Sequence, residues 1–151
     1  MSFAAARVSK READDAGAAA EAVRIGALYA QATVLVGGEA TIQRFMEAAG
    51  TADIVHVAAH AQTSTGDPTL AAILFAPSPG HSGALTVRTI RENLPMRNRL
   101  VILAACRTGQ SEGFASANLA FAFLSTGSVS VVGTTRDIPD DASRFFSVML
   151  H

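Results

Sequence analysis

The sequence lacks what several classes of function require. Its 151 residues include one cysteine and four histidines, so no internal disulfide can form and no zinc-ligand spacing can be assembled. The formal net charge is −1, and no basic run appears, which argues against binding to nucleic acid. No apolar run reaches the length of a membrane span, and the N-terminal basic residues are followed by acidic and alanine-rich sequence, unlike a signal peptide. We therefore expect a cytoplasmic protein.

What the chain does have is an apolar-rich composition. Hydrophobic residues make up 49% of it and charged residues 17%, which fits a layered core rather than disorder or a coiled coil. The length is enough for one domain with a sizeable core. Residues 1–11 show no periodicity and are predicted to be a loose lead-in, whereas residues 12–151 are predicted to form a single domain.

Apolar runs alternate with segments of helical periodicity from residue 12 onward. Strands are predicted at 32–36, 53–60 and 70–75, from residue 99 to the cysteine, and at 128–135. Helices are predicted from Glu12 to the first strand, after Thr41 and Thr86 as caps, from Ala115 to Gly127, and from Asp140 to the end, whereas residues 61–68 are predicted to be a polar loop. Leu28 is expected on the inner face of the first helix. Such alternation is typical of βαβ units and predicts a three-layer α/β/α sandwich with a mostly parallel sheet. The phenylalanines of the last two helices are assigned to the core: Phe121, Phe123, Phe145 and Phe146.

Two of the apolar runs end in reactive side chains, His60 and Cys106. If their strands are parallel neighbours, their carboxyl ends meet at one edge of the sheet, where chemistry collects in α/β folds. A thiol with a pKa of about 8.5 is mostly protonated at neutral pH, and a nearby imidazole could take its proton. The backbone N–H groups of Ala61 and Cys106 could then face a developing oxyanion. On spacing alone, a packed and unreactive cysteine is an equally good interpretation.

The segments around these two residues resemble a known family. Val55–Ala61 and Leu103–Gly109 are similar to the two motifs of CHAT domains, which are caspase-like peptidase domains often attached to tetratricopeptide repeats. Other segments match in the family's order: Gly38–Thr41, Asp67–Leu70, Gly83–Thr86 and Val131–Ala142. The resemblance implies a caspase-like fold in which Cys106 is the nucleophile and His60 the general base. It also implies a protein or peptide substrate and no metal or organic cofactor.

Three departures from the family pattern keep a second function open. Ala61 stands where the family usually has glycine, and Ala104 stands where it usually has serine. A first strand before Glu12 is not recognisable, and the last helix has no stop signal, so the domain is expected to be incomplete at both ends. The alternative is a catalytically inactive CHAT-like module that binds a protein partner.

Acidic loop residues are candidates for a substrate pocket. Asp67, Glu112 and Asp137 could border the site and accept a basic side chain, although solvated loop carboxylates would look the same. His56 has the strand parity of His60 and is predicted to be a buried, hydrogen-bonded structural residue. His81 lies in a loop rich in proline and glycine and is predicted to be solvated.

Overall fold

The computed structural model describes residues 1–7, 22–62, 64, 66–104, 119–133 and 140–151. Its strands are β1 (Ser2–Arg7), β2 (Gln31–Val36), β3 (Ile54–Ala58), β4 (Ala61–Gln62), β5 (Ala72–Leu74), β6 (Ala84–Thr86), β7 (Leu100–Leu103) and β8 (Val131–Gly133). Its helices are α1 (22–26), α2 (Ile42–Ala49), α3 (Val87–Asn93), α4 (Leu119–Ser125) and α5 (Asp140–Leu150). None of the described helices is long and apolar enough to cross a membrane.

Five strands form a parallel sheet in the order β2-β1-β3-β7-β8. Because successive side chains of a strand point to opposite faces, β3 supplies both faces: Val55 and Val57 belong to one apolar cluster and Ile54 to another. Helices α2, α3 and α4 cover the first face, and α1 and α5 cover the second. The predicted three-layer α/β/α sandwich is confirmed.

Two helices begin where the sequence predicts. The hydroxyl of Thr86 accepts a hydrogen bond from the N–H of Thr89 at 3.0 Å and caps α3. The hydroxyl of Thr41 does the same for α2, accepting from Arg44 at 3.4 Å. Each cap satisfies a backbone donor that the first helical turn leaves without a partner.

The expectation of a loose lead-in over residues 1–11 is wrong for Ser2–Arg7. These residues form β1, which lies between β2 and β3 inside the sheet. Phe3 and the three alanines that follow it are all 3% exposed or less. Alanine is depleted in strands, so this run gives no strand signal, although a central strand covered on both faces has room for small side chains. The strand missing from the sequence pattern is therefore present.

The layer over the second face also differs from expectation. Phe145 and Phe146 of α5 are exposed rather than in the core, and only Phe123 of the four predicted core phenylalanines is fully buried. The first helix ends at Gly26, so Leu28, expected on its inner face, is 62% exposed.

A second, antiparallel sheet stands beside the main one. Its order is β4-β5-β6, and β6 was not predicted as a strand. Gly83, just before β6, has φ +85°, and its C=O accepts a hydrogen bond from Phe75 at 2.7 Å. A Cβ there would lie 2.3 Å from the Phe75 oxygen, so this turn requires glycine.

Candidate active site

The predicted neighbours β3 and β7 are paired directly and in parallel. The register runs from Ile54 opposite Leu100 to Val57 opposite Leu103. The N–H of Ala104 then donates to the C=O of Val57 at 2.8 Å, carrying the pairing one residue further. Both strands therefore deliver the chain that follows them to the same edge of the sheet.

His60 follows β3 by two residues, and its ring is exposed. Its backbone is fixed nonetheless, because its C=O accepts a hydrogen bond from the N–H of Leu74 at 2.8 Å. That contact joins the end of β3 to the antiparallel sheet. The imidazole of His60 is therefore accessible to solvent and is carried by a backbone that a hydrogen bond holds in place.

Ala61 begins β4, where it lies opposite Ile73. In an antiparallel ladder the backbone groups of successive residues point to alternate sides. Since the C=O of His60 points toward β5, the N–H and C=O of Ala61 point away from it. Strand β4 is at the edge of its sheet, so this N–H faces a side that no described strand covers.

Asp67 is held within the loop that follows β4. Its Oδ1 accepts from the N–H and the hydroxyl of Thr69, at 2.9 and 2.6 Å, and its Oδ2 pairs with Arg88 of α3 at 3.1 Å. The Thr69 hydrogen bonds, and the Arg88 charge after them, hold the pKa of this carboxyl below its usual value. A surface cleft of about 400 Å³ lies beside this pair and is lined by Thr69, Arg88, Arg91 and Glu92.

His56 is 2% exposed and hydrogen-bonded, as predicted. Its Nδ1 lies 3.1 Å from Nε2 of His151, whose Nδ1 lies 2.8 Å from the hydroxyl of Tyr29. This chain of polar groups ties the end of α5 to the centre of the sheet. His81 is exposed in its turn, also as predicted.

Comparison with known families accounts for nearly the whole chain. The family model for the CHAT domain matches residues 4–151. The chain belongs to the CHAT-domain family. No curated protein matches it. The match begins inside β1, so the strand that the sequence pattern does not reveal is part of the CHAT domain.

Membership of the CHAT-domain family suggests a relation to caspase-like peptidases. Cys106, Glu112 and Asp137 lie outside the described residues. Within the described part of the chain, no group of three His, Cys, Asp or Glu side chains could hold a metal ion.

Sequence reasoning missed Arg88 and His151 as partners of the CHAT domain's polar residues. Arg88 pairs with a carboxylate 21 positions away and His151 with an imidazole 95 positions away. A local sequence pattern cannot reveal contacts between residues so far apart in the chain. Only the spacing of Arg88 and Arg91, three residues apart on one side of α3, was visible in the sequence.

Proposed function

We propose that this CHAT domain is a cysteine endopeptidase that cleaves a protein or peptide, with Cys106 as nucleophile and His60 as general base. The observation that carries the proposal is the register of β3 and β7. Each of the four paired positions joins residues 46 apart in the sequence, and His60 and Cys106 have the same separation. If the same offset applied beyond the paired positions, the side chains of His60 and Cys106 would reach the same edge of the sheet.

The reaction follows from these roles. His60 takes the proton of the Cys106 thiol, and the thiolate attacks the carbonyl carbon of the scissile peptide. The tetrahedral intermediate collapses, the C–N bond breaks, and the imidazolium returns its proton to the leaving amine. A water molecule then gives a proton to His60 and attacks the thioester, releasing the carboxylic acid and restoring the thiol.

Backbone donors stabilise the oxyanion in this proposal. The N–H of Ala61 points away from β5, toward the side on which a substrate would lie, and the N–H of Cys106 is the second donor. Loss of one such donor typically costs about 3–4 kcal/mol in the transition state. Because Ala61 is in a strand, its backbone is extended, and an alanine fits where the family usually has glycine.

Two of the reasons for the alternative, a catalytically inactive binding module, no longer hold. The alanine after the histidine causes no strain in β4, and the first strand is present as β1. Ala104, the second departure, uses its N–H in the β3–β7 pairing, which either side chain would permit. These observations favour an active site over a relic.

For the substrate pocket, the three acidic candidates are not equivalent. Both carboxylate oxygens of Asp67 already have partners in Thr69 and Arg88, so its contacts fit a loop anchor. Glu112 and Asp137 are the better candidates to accept a basic substrate side chain.

The test is the rate at which iodoacetamide alkylates Cys106 at about pH 6.5, where an unassisted thiol is only about 1% thiolate. We expect His60→Ala to slow alkylation about tenfold or more, because the imidazole no longer stabilises the thiolate, while His81→Ala leaves it unchanged. Equal rates in all three proteins would refute the dyad. Digestion of a peptide library then separates the two functions: cleavage that Cys106→Ala abolishes supports the peptidase, and a reactive thiol without cleavage favours the binding module.

A further inference from the structure

The polar cleft on α3 contains two arginines that the proposed peptidase reaction does not use. Its volume is about 400 Å³, and it is lined by Thr69, Arg88, Arg91 and Glu92. Pockets that bind small ligands have volumes of about 300–1,000 Å³, so the cleft has room for a peptide side chain. Arg88 and Arg91 are three residues apart and therefore extend from the same side of the helix.

One guanidinium of the cleft is held in place and keeps donors to spare. A single terminal nitrogen of Arg88 donates to Oδ2 of Asp67 and to the hydroxyl of Thr69, both at 3.1 Å. A guanidinium has five N–H donors, so most of those on Arg88 remain available. Among the residues that the structure describes, the side chain of Arg91 has no hydrogen bond or ion pair, and Glu92 pairs with neither arginine.

The hairpin that follows His60 brings the cleft close to that residue. The C=O of His60 accepts from Leu74 of β5, and two residues back along β5 Ala72 is paired with Thr86 of β6. Helix α3 begins directly after Thr86. With strands about 4.8 Å apart and a rise of about 3.4 Å per residue, the Cα atoms of His60 and Thr86 are about 12 Å apart. An extended peptide covers that distance in about three to four residues.

We propose that the cleft binds a carboxylate side chain of the peptide substrate, about three to five residues from the scissile bond, a specificity that rests on the proposed peptidase function. Arg91 and the remaining donors of Arg88 present planar forks, which bind a carboxylate through two parallel N–H···O hydrogen bonds. Because Asp67 and Thr69 already hold Arg88, less side-chain freedom is lost when the ligand binds.

The charges around the cleft favour a carboxylate over a phosphate group. The positive charges of Arg88 and Arg91 are matched by the negative charges of Asp67 and Glu92. A phosphate monoester carries a charge of about −1.5 to −2 at neutral pH, so the two acidic residues would repel it more strongly than a carboxylate. A carboxylate needs only one well-placed guanidinium fork, which Arg91 supplies.

Digestion of a peptide library that is randomised on both sides of the cleavage site tests the proposal. We expect Asp and Glu to be enriched about threefold to tenfold at a position about three to five residues from the cut. Arg91→Gln should remove this enrichment, because glutamine has neither the charge nor the fork. Arg24→Gln is the matched control, since Arg24 is exposed on α1, over the other face of the sheet. This control should keep the enrichment. Circular dichroism checks that both variants are folded.

A wild-type cleavage profile without an acidic preference would overturn the proposal, and so would a preference that folded Arg91→Gln retains or that Arg24→Gln loses to the same extent. If the chain cleaves no peptide, the peptidase function fails, and the cleft is tested by binding alone. Acetyl-Ala-Glu-Ala-amide should then shift the Nε–Hε NMR signals of Arg88 and Arg91, whereas acetyl-Ala-Gln-Ala-amide should not. Equal effects of the two peptides, or none, would refute carboxylate binding. Shifts that inorganic phosphate produces at a lower concentration than the glutamate peptide would instead assign the cleft to phosphate.

Discussion

The two faces of the main sheet are stabilised in different ways. The face under α2, α3 and α4 is a continuous apolar core in which Phe45 and Phe123 are 1% exposed or less. The face under α1 and α5 has a small apolar cluster around Phe3, and a chain of hydrogen bonds through His56, His151 and Tyr29 beside it. Helices over a single sheet are thus held mainly by apolar burial on one face, and by a small apolar cluster together with a few polar contacts on the other.

The largest expected effect is a difference in the free energy of unfolding between alanine variants of one phenylalanine from each layer. Phe123→Ala should lower the free energy of unfolding by about 3–5 kcal/mol, because it leaves a cavity in the apolar core. Phe145→Ala should change it by less than about 0.5 kcal/mol at concentrations where the chain is monomeric, since that ring is already in solvent. Urea unfolding followed by circular dichroism measures both, and similar losses would mean that the two layers do not differ in this way.

A smaller effect should appear when the pH falls. Burial lowers the pKa of His151 from its ordinary value of 6.5, so the unfolded chain takes up a proton more readily than the folded one. Stability should fall as the pH drops through about 6.5 and level off below the folded-state pKa. Because this ring is only half-buried, the loss should be less than about 1 kcal/mol.

Thermal melts between about pH 7.5 and about pH 5.5 check this prediction. His151→Phe keeps an aromatic ring that cannot titrate, so its melting temperature should vary less with pH than that of the wild type. His81→Phe, at an exposed position, should keep the wild-type slope. The carboxyls of Asp53 and Asp67, whose pKa values are lowered by hydrogen bonds to Ser2 and Thr69, lose their contribution only at more acid pH. If the melting temperature of His151→Phe varied with pH as much as that of the wild type, the imidazole of His151 would not be the source of the pH dependence.

The sequence predicts the helices on the apolar face of the sheet better than those on the face with the polar contacts. On the apolar face, periodicity identified α2 and α3 and their threonine caps, because side chains at helical spacing are buried there as the pattern assumes. On the other face the rule fails at Leu28, Phe145 and Phe146. The side of α5 that faces the sheet is set in part by the contact between His56 and His151, which are 95 residues apart. The periodicity of α5 alone cannot reveal such a contact.

The strands follow a similar logic. β3 and β7 were predicted because their runs of branched residues suit a strand buried on both faces. β1 was missed because alanine favours helices when nothing else is known. Its place between β2 and β3 is decided by packing across the sheet. The paired ends of β3 and β7 could be inferred from the family order, whereas the contacts of Asp67 required the fold.

The most direct test of the central claim measures whether positions 60 and 106 are neighbours. In His60→Cys, the introduced thiol and the native Cys106 should form a disulfide under mild oxidation, because the proposed dyad requires the two side chains to meet at one edge of the sheet. His81→Cys, in an exposed turn, provides the matched control and should stay reduced. A mass loss of about 2 Da and an intramolecular cross-linked peptide in His60→Cys alone would support the account. A His60→Cys chain that remains as reduced as His81→Cys would contradict it.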